Sequence, residues 1–526
     1  MKNKGISLIV LVITIIVIII LAAAVILTLN KNNPIENANK ASFQQDLDSF
    51  KSDLDLTHSK LIADSIGEYD FKKENINPYE DITKLKELIP SITINYEGIL
   101  GIKNGLLVIS QEATQKQIEW AAQIDVKLDK VIGKDGANIP IFPTIDGKPN
   151  SDIKAISWDF NKEVEYSNMP ESEWYKYEQQ TVTTENGGTS KWANMKTKDG
   201  SYFVWIPRYA YKITSGYHMG GNTAGTIDVK LMKGTSNTKC SDGTTLPADY
   251  KVHDAFTFDG KSLVGIWVSK YEASNYNEKV RIVPNEISWR AISHKKMFDN
   301  CILMQGDSNV YGWSTNNAHM MKNNEWGAIA YFTHSKFGRN ATEVTINNNS
   351  KYITGMAGDS ISAMPSEETI NKYDTKKGML ASTTGNIYGV YDMNGGAFEY
   401  TAAFLRGYTT TGLVWTVDQI NSNQKYFDLY EPSGENSNAQ ENYIKNEKLS
   451  VQKGDAIYET SFRGMLENLE MLDHSSWFED SSYFADLNFP VLPRGGDFRG
   501  GVISGIFFYS NSRGNLSATF RAVIGI

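Results

Sequence analysis

The first pattern along the chain is an unbroken apolar run. Ile6 to Leu29 carries no charge and only three hydroxyl side chains, Ser7, Thr14 and Thr28. As a helix it would span roughly 36 Å, enough to cross a bilayer with some tilt. Lys2 and Lys4 precede it, so the N-terminus is expected in the cytoplasm and the rest outside. After Pro34 the pattern becomes a polar helix with Phe43, Leu47, Phe50 and Leu54 at steps of four, three and four. That single stripe predicts a helix lying on a small globular domain. Tyr96 to Ile109 reads as two strands joined at Lys103-Asn104-Gly105. A helix from Gln111 to about Lys130 is expected to close the unit. Gly133 to Pro149 holds three prolines and three glycines and reads as a linker.

Beyond residue 150 the pattern shifts to short strands, long polar connections and few helices. Tyr202–Ile206 and Leu263–Tyr271 read as strands, and Asn323–Phe332 has the apolar spacing of a helix. Polar stretches around Thr181–Gly200, Asn347–Ser350 and Gln419–Ser450 read as surface insertions. No fixed-period repeat is present. The expected organisation is a leader and membrane helix (1–30), a helix and small sheet (31–132), a linker (133–150) and a large body (151–526). The fold class is α+β.

Composition narrows the function classes. A chain of 526 residues exceeds one core. Net charge is −9, and no basic stripe follows the extreme N-terminus, so nucleic acid is not an expected partner. The 27 tyrosines and 11 tryptophans suit a β-rich body. Cys240 and Cys301 are read either as one extracellular disulfide or as two buried free thiols. The last 33 residues, Arg494 to Ile526, hold seven glycines, five aromatics, four arginines and one acid, Asp497. Such a mixture is poor for acid–base, metal or thiol chemistry and suited to contact. A packing hairpin with no ligand is the alternative at this point.

The leader Met1-Lys2-Asn3-Lys4-Gly5 followed by the apolar run resembles the class III signal of type IV pilins and pseudopilins. The resemblance covers about 30 residues. It implies a prepilin peptidase that cuts after Gly5 and leaves Ile6 as the new N-terminus, and a pilus-type assembly machinery as partner. The family's usual Glu, five residues into the mature chain, is replaced by Val10, so a minor subunit or a plain membrane anchor is also consistent. Ala22-Ala23-Ala24 leaves a cleaved secretory signal as a further reading.

Four segments in order resemble the sulfatase-modifying-factor superfamily, typified by the formylglycine-generating enzyme. They are Ile266–Ser274, Glu325-Trp326 opening a helix, Tyr388–Tyr400, and Arg494-Gly495-Gly496 with Phe520-Arg521. The implied fold is the irregular C-type-lectin fold. The enzyme's copper-binding cysteine pair, expected between the last two motifs, is missing here, so formylglycine generation, cofactors and metal are not expected. The same fold and ending occur in variable proteins of diversity-generating retroelements. That likeness implies a fixed frame of Arg494, Gly495, Gly496, Gly505, Phe507, Phe520 and Arg521. It also implies an exposed ligand-binding set of Asp497, Phe498, Arg499, Val502, Ile503, Ser510, Asn511, Arg513, Asn515, Ser517 and Thr519.

Signals for an enzyme are thin. There is no phosphate-binding Gly-x-x-x-x-Gly-Lys-Ser/Thr loop, His-Glu-x-x-His or Gly-x-Ser-x-Gly, and the seven histidines lack ligand spacing. Asp392 and Glu399 could form a hydrolytic carboxylate pair, but the resemblance gives Glu399 a structural role. The cluster Tyr202–Tyr211 is read as core packing ahead of a sugar-stacking surface. No catalytic residue is assigned. The expectation is a cell-surface, membrane- or pilus-anchored protein with its C-terminal part outside, binding a protein or glycan ligand. A divergent enzyme of the formylglycine-generating type and a minor pilin without its own ligand are the alternatives.

Overall fold

The computed structural model describes residues 16–17, 34–79, 82–166, 171–180, 187–314, 316–358, 371–406, 415–430, 453–462, 475–512 and 518–525. Apart from Ile16 and Val17, the apolar run lies outside them, as do Gly5 and Ile6. Among the described residues, no helix is long and apolar enough to cross a membrane. The chain divides into two compact units, Met1–Val131 and Ile132–Ile526. Both mix helices and sheets, which makes the fold α+β.

The first unit is organised by helix α1 (Pro34–Asp64). Its stripe of Phe43, Leu47, Phe50 and Leu54 is buried as the spacing predicts, against Leu85, Ile89, Ile102 and Ile109. The sheet beneath runs β1 (Asn75–Ile76), β2 (Leu100–Lys103), β3 (Leu106–Ser110) and β4 (Lys127–Asp129). β2 and β3 form the expected hairpin, turning at Asn104 (φ 51°) and Gly105 (φ 72°). Two successive positive φ angles match the right-handed twist of the flanking strands. The helix expected over Gln111–Lys130 is shorter: α2 spans Gln115–Ala122, opened by a Thr114–Gln117 capping box. Asp125 then takes φ 59°, which ends any helix, and the chain leaves as β4, parallel to β3.

The second unit is built on a seven-stranded antiparallel sheet. Its strands are β5 (Lys154–Asp159), β6 (Lys162–Tyr166), β7 (Asn194–Lys196), β8 (Tyr202–Pro207), β9 (Gly265–Ser269), β10 (His319–Met320) and, far along the chain, β15 (Ala522–Gly525). The spatial order is β10-β15-β9-β8-β7-β5-β6. β8 and β9 are buried on both faces, with Trp205 opposite Trp267 and Val204 opposite Val268, so they read as continuous apolar runs rather than alternating ones. The second sheet is centred on β11 (Glu399–Leu405), flanked by β12 (Asp428–Tyr430), β13 (Val491–Arg494) and β14 (Thr519–Phe520). Helix α3 (Asn323–His334) is almost wholly buried against this core.

Three expectations need correction. The stretch 133–150 is not a free linker: it belongs to the second unit and satisfies its tryptophans. Trp205 Nε1 donates to the Asn138 carbonyl (3.2 Å) and Trp267 Nε1 to that of Ile141 (2.7 Å). Asn138 is itself buried, donating to the carbonyls of Gly234 and Val264. Nor are 181–200 and 347–350 surface insertions throughout. In the first, residues 181–186 lie outside the described residues and Trp192, Ala193, Asn194 and Met195 are buried, and in the second Asn347 and Asn349 are buried. Residues 431–450 of the third stretch lie outside the described residues. The cluster Tyr202–Tyr211 packs in the core, and the two cysteines are free, each buried in a different apolar cluster.

Candidate functional site

The C-terminal segment is held at both ends by buried arginines. Arg494 closes β13, where Nη1 donates to Asn323 Oδ1 (2.9 Å) and the Asp455 carbonyl (3.0 Å) and Nη2 to the Ala456 carbonyl (3.2 Å). Its guanidinium stands 5.5 Å from the ring of Trp326, whose Nε1 donates to the Ile506 carbonyl. Burial pulls the arginine's pKa down to about 10, so it stays charged at neutral pH. At the other end, Arg521 donates through Nε and Nη2 to the two carboxylate oxygens of Glu399 (2.7 and 2.8 Å). It also reaches the carbonyls of Ser269 and Tyr391. The segment is therefore sewn into both sheets, through β14 on β11 and β15 on β9.

Glycines between these anchors answer to space. A Cβ at Gly496 (φ 71°) would stand 2.3 Å from Ser504 Oγ, and one at Gly505 would stand 2.3 Å from Asp480 Oδ1. Asp480 is buried and accepts from the Phe507 amide at 2.9 Å, which holds the turn over 505–508 in place. Phe507 and Phe520 are fully buried. With Gly495 at φ 80°, a conformation that L side chains rarely adopt, all seven residues of the expected frame have a structural reason for their identity.

Glu399 does not form an open pair with Asp392. Glu399, Asp392 and Glu272 are buried around Arg521, each with its own partners. Asp392 accepts from Asn347 Nδ2 (2.8 Å) and the Gly355 amide (3.0 Å), and Glu272 from the Ala397 amide (2.8 Å). Burial pushes all three carboxyls above the usual carboxylate range, because one guanidinium cannot balance three charges. Among the described residues no cluster of His, Cys, Asp or Glu has the makings of a metal site.

The exposed part is a loop over 497–503. Asp497 sits at its base with a nearly buried carboxylate, accepting from the Arg499 amide (3.0 Å), Nε (2.9 Å) and Nη2 (2.6 Å). The loop closes on itself through Gly500 N and Ser504 Oγ, which both donate to the Asp497 carbonyl. Arg499 and Ile503 are exposed, while Phe498 and Val502 are half-buried. The Phe498 ring meets Tyr352 edge-on at 4.9 Å, and Arg290 lies 3.5 Å over the Tyr352 ring. Neither Arg290 nor Tyr352 was flagged by the sequence, since the preceding Asn347-Asn348-Asn349 read only as surface.

The eleven expected ligand positions do not form one class. Phe498, Arg499, Val502 and Ile503 gather on the loop. Ser510 and Asn511 are half-buried further along, where Asn511 Nδ2 donates to the Phe484 carbonyl (3.2 Å). Asp497 is structural in its bonding, and Thr519 is fully buried: β14 pairs with β11 there, and its amide donates to the Phe398 carbonyl (2.7 Å). Thr519 is removed from the exposed set on that ground. Arg513, Asn515 and Ser517 lie outside the described residues.

No family model matches the chain, and no curated protein matches it.

Proposed function

We propose that this protein is a non-catalytic cell-surface binder, anchored in a membrane or pilus by its N-terminal segment. Its second unit, a lectin-type fold in this reading, presents the 497–503 loop to a protein or glycan ligand. The observation that carries this is the contrast within one segment: two buried, hydrogen-bonded arginines at its ends, and exposed or half-buried aromatic, cationic and aliphatic side chains between them. A rigid base with an adaptable tip is the arrangement that recognition loops use to limit the entropy lost on binding. Retroelement-driven variation of the tip and prepilin-type processing at Gly5 belong to the same reading.

Sequencing this gene across a population of close variants tests it. Substitutions should concentrate at codons for Phe498, Arg499, Val502 and Ile503 and avoid Arg494, Gly495, Gly496 and Arg521. An even spread along the second unit would favour a minor pilin with no ligand of its own.

A further inference from the structure

We propose that the 497–503 loop acts with Ile287, Arg290 and Tyr352 as one docking surface for an acidic segment of a protein partner. This rests on the binding reading above and adds the ligand's chemistry and three residues from outside the C-terminal segment. Arg290 carries the argument. It is half-buried, its guanidinium is stacked on Tyr352, and among the described residues it makes no side-chain hydrogen bond or ion pair. Its Nε is buried without a partner. Stacking fixes the plane of a guanidinium while leaving its N–H edge for a carboxylate, the planar acceptor that it fits bidentately.

Arg499 differs, since Asp497 already occupies it. The patch therefore holds one satisfied cation and one open one, beside the Tyr352–Phe498 pair. Around this centre Ile287 is 59 % exposed and Ile503 45 % exposed. The Ile287 backbone pairs with Ile353, the residue after Tyr352, which brings Ile287 next to this part of the chain. Arginine and tyrosine at the centre with aliphatics beside them match the composition of protein-binding hot spots. A glycan would need open ring faces, and Arg290 covers one face of Tyr352 while its edge contact with Phe498 takes up more.

The test uses the full chain in detergent micelles. The probes are short synthetic peptides matched in length and aromatic content but graded in Asp and Glu, with polygalacturonate and neutral dextran as glycan arms. Acidic peptides should bind more tightly than neutral ones, and more weakly as salt rises. Arg290→Gln should weaken acidic-peptide binding by about tenfold, the scale of one charged hydrogen-bonded contact, with an unchanged unfolding midpoint. Arg290→Lys should restore only part of it. Equal binding by wild type and Arg290→Gln overturns the proposal, as does a wild type that retains no acidic peptide. Retention of polygalacturonate alone overturns it too, but leaves the binding surface standing if Phe498→Ala and Ile503→Ala abolish that retention. Full binding of every retained probe by those two variants removes the binding reading itself.

Discussion

Arg521 grips Glu399 through two hydrogen bonds of 2.7 and 2.8 Å, and neither side chain is open to solvent. The pair joins the junction of β14 and β15 to the start of β11, so it locks the closing segment into the fold. A buried pair of this kind contributes little over an apolar replacement, but breaking it strands a charge. Glu399→Gln alone is expected to destabilise the second unit by ~3 kcal/mol or more. Arg521→Met combined with Glu399→Leu should not recover that loss, because Asp392 and Glu272 then lose their guanidinium and the Ser269 and Tyr391 carbonyls their donor. Chemical denaturation of the single and double variants measures both, and a neutral single variant would show that the pair is not an anchor.

Two further carboxyls, the buried Asp480 and the half-buried Glu343, give stability a pH dependence. Burial pushes Asp480 up to about 8 and Glu343 up to about 9, and Asp480 adds to the rise at Glu343. An unfolded chain has released both protons above pH ~5, whereas the folded chain keeps them to pH ~8. The folded state therefore binds more protons in that window, and stability falls as pH rises through it. The buried His253, His294 and His334 act in the opposite sense: burial lowers each to about 4, so they cost stability as pH falls below ~6.5. Between pH 6.5 and 8.5 only the acid effect operates among these groups, and thermal midpoints should decline. Asp480→Asn, which mimics the neutral acid, should flatten the decline. A wild-type midpoint that climbs across this range would contradict the burial argument.

The signals that survived from sequence to structure are those with a local cause. The stripe of Phe43, Leu47, Phe50 and Leu54 and the turn at Asn104-Gly105 depend on neighbours a few residues away, and both stand as read. The helix expected to reach Lys130 failed because Asp125 turns left-handed and Val126 is drawn into the core, a tertiary effect without a strong local mark. Residues 133–150 looked like a linker because proline and glycine mark irregular chain, yet irregular chain here caps two buried indoles. In the candidate site, the anchors Arg494 and Arg521 were legible from their motifs. Thr519 looked exposed because it is small and polar, and only strand pairing buries it. Arg290 and Tyr352 come from distant segments, so no spacing rule could join them to Phe498.

Lys270, which follows β9, is fully buried and, among the described residues, has no carboxylate in hydrogen-bond contact. Its three ammonium protons are matched by Asn194 Oδ1 (2.8 Å) and the carbonyls of Ile387 (2.6 Å) and Gly389 (3.0 Å), and Trp158 faces it at 4.9 Å. Burial pulls its pKa well down, while the three acceptors favour the charged form. Lys270→Met keeps the length and apolar stem but leaves three buried oxygens unpaired. It should cost ~2–4 kcal/mol, read by urea denaturation. A stable Met variant would mean that water or a shift of the 387–389 backbone satisfies those oxygens.

The loop and its base should differ in their tolerance of substitution. Arg499 and Ile503 are exposed, and the Arg499–Asp497 pair is mostly in solvent on its arginine side, so it adds at most a few tenths of a kcal/mol. Substitutions at Phe498, Arg499, Val502 and Ile503 are therefore expected to shift stability by less than ~1 kcal/mol. Thr519→Arg would drive a long charged chain into the closed space between β14 and Ala273, and Gly505→Ala would set a methyl against Asp480. Both should unfold the second unit or cost ~3 kcal/mol or more. A saturation library over 494–512 and 518–521, sorted by protease resistance of the displayed chain, reads all of these together. Strong depletion at the four loop positions would mean that they pack rather than present.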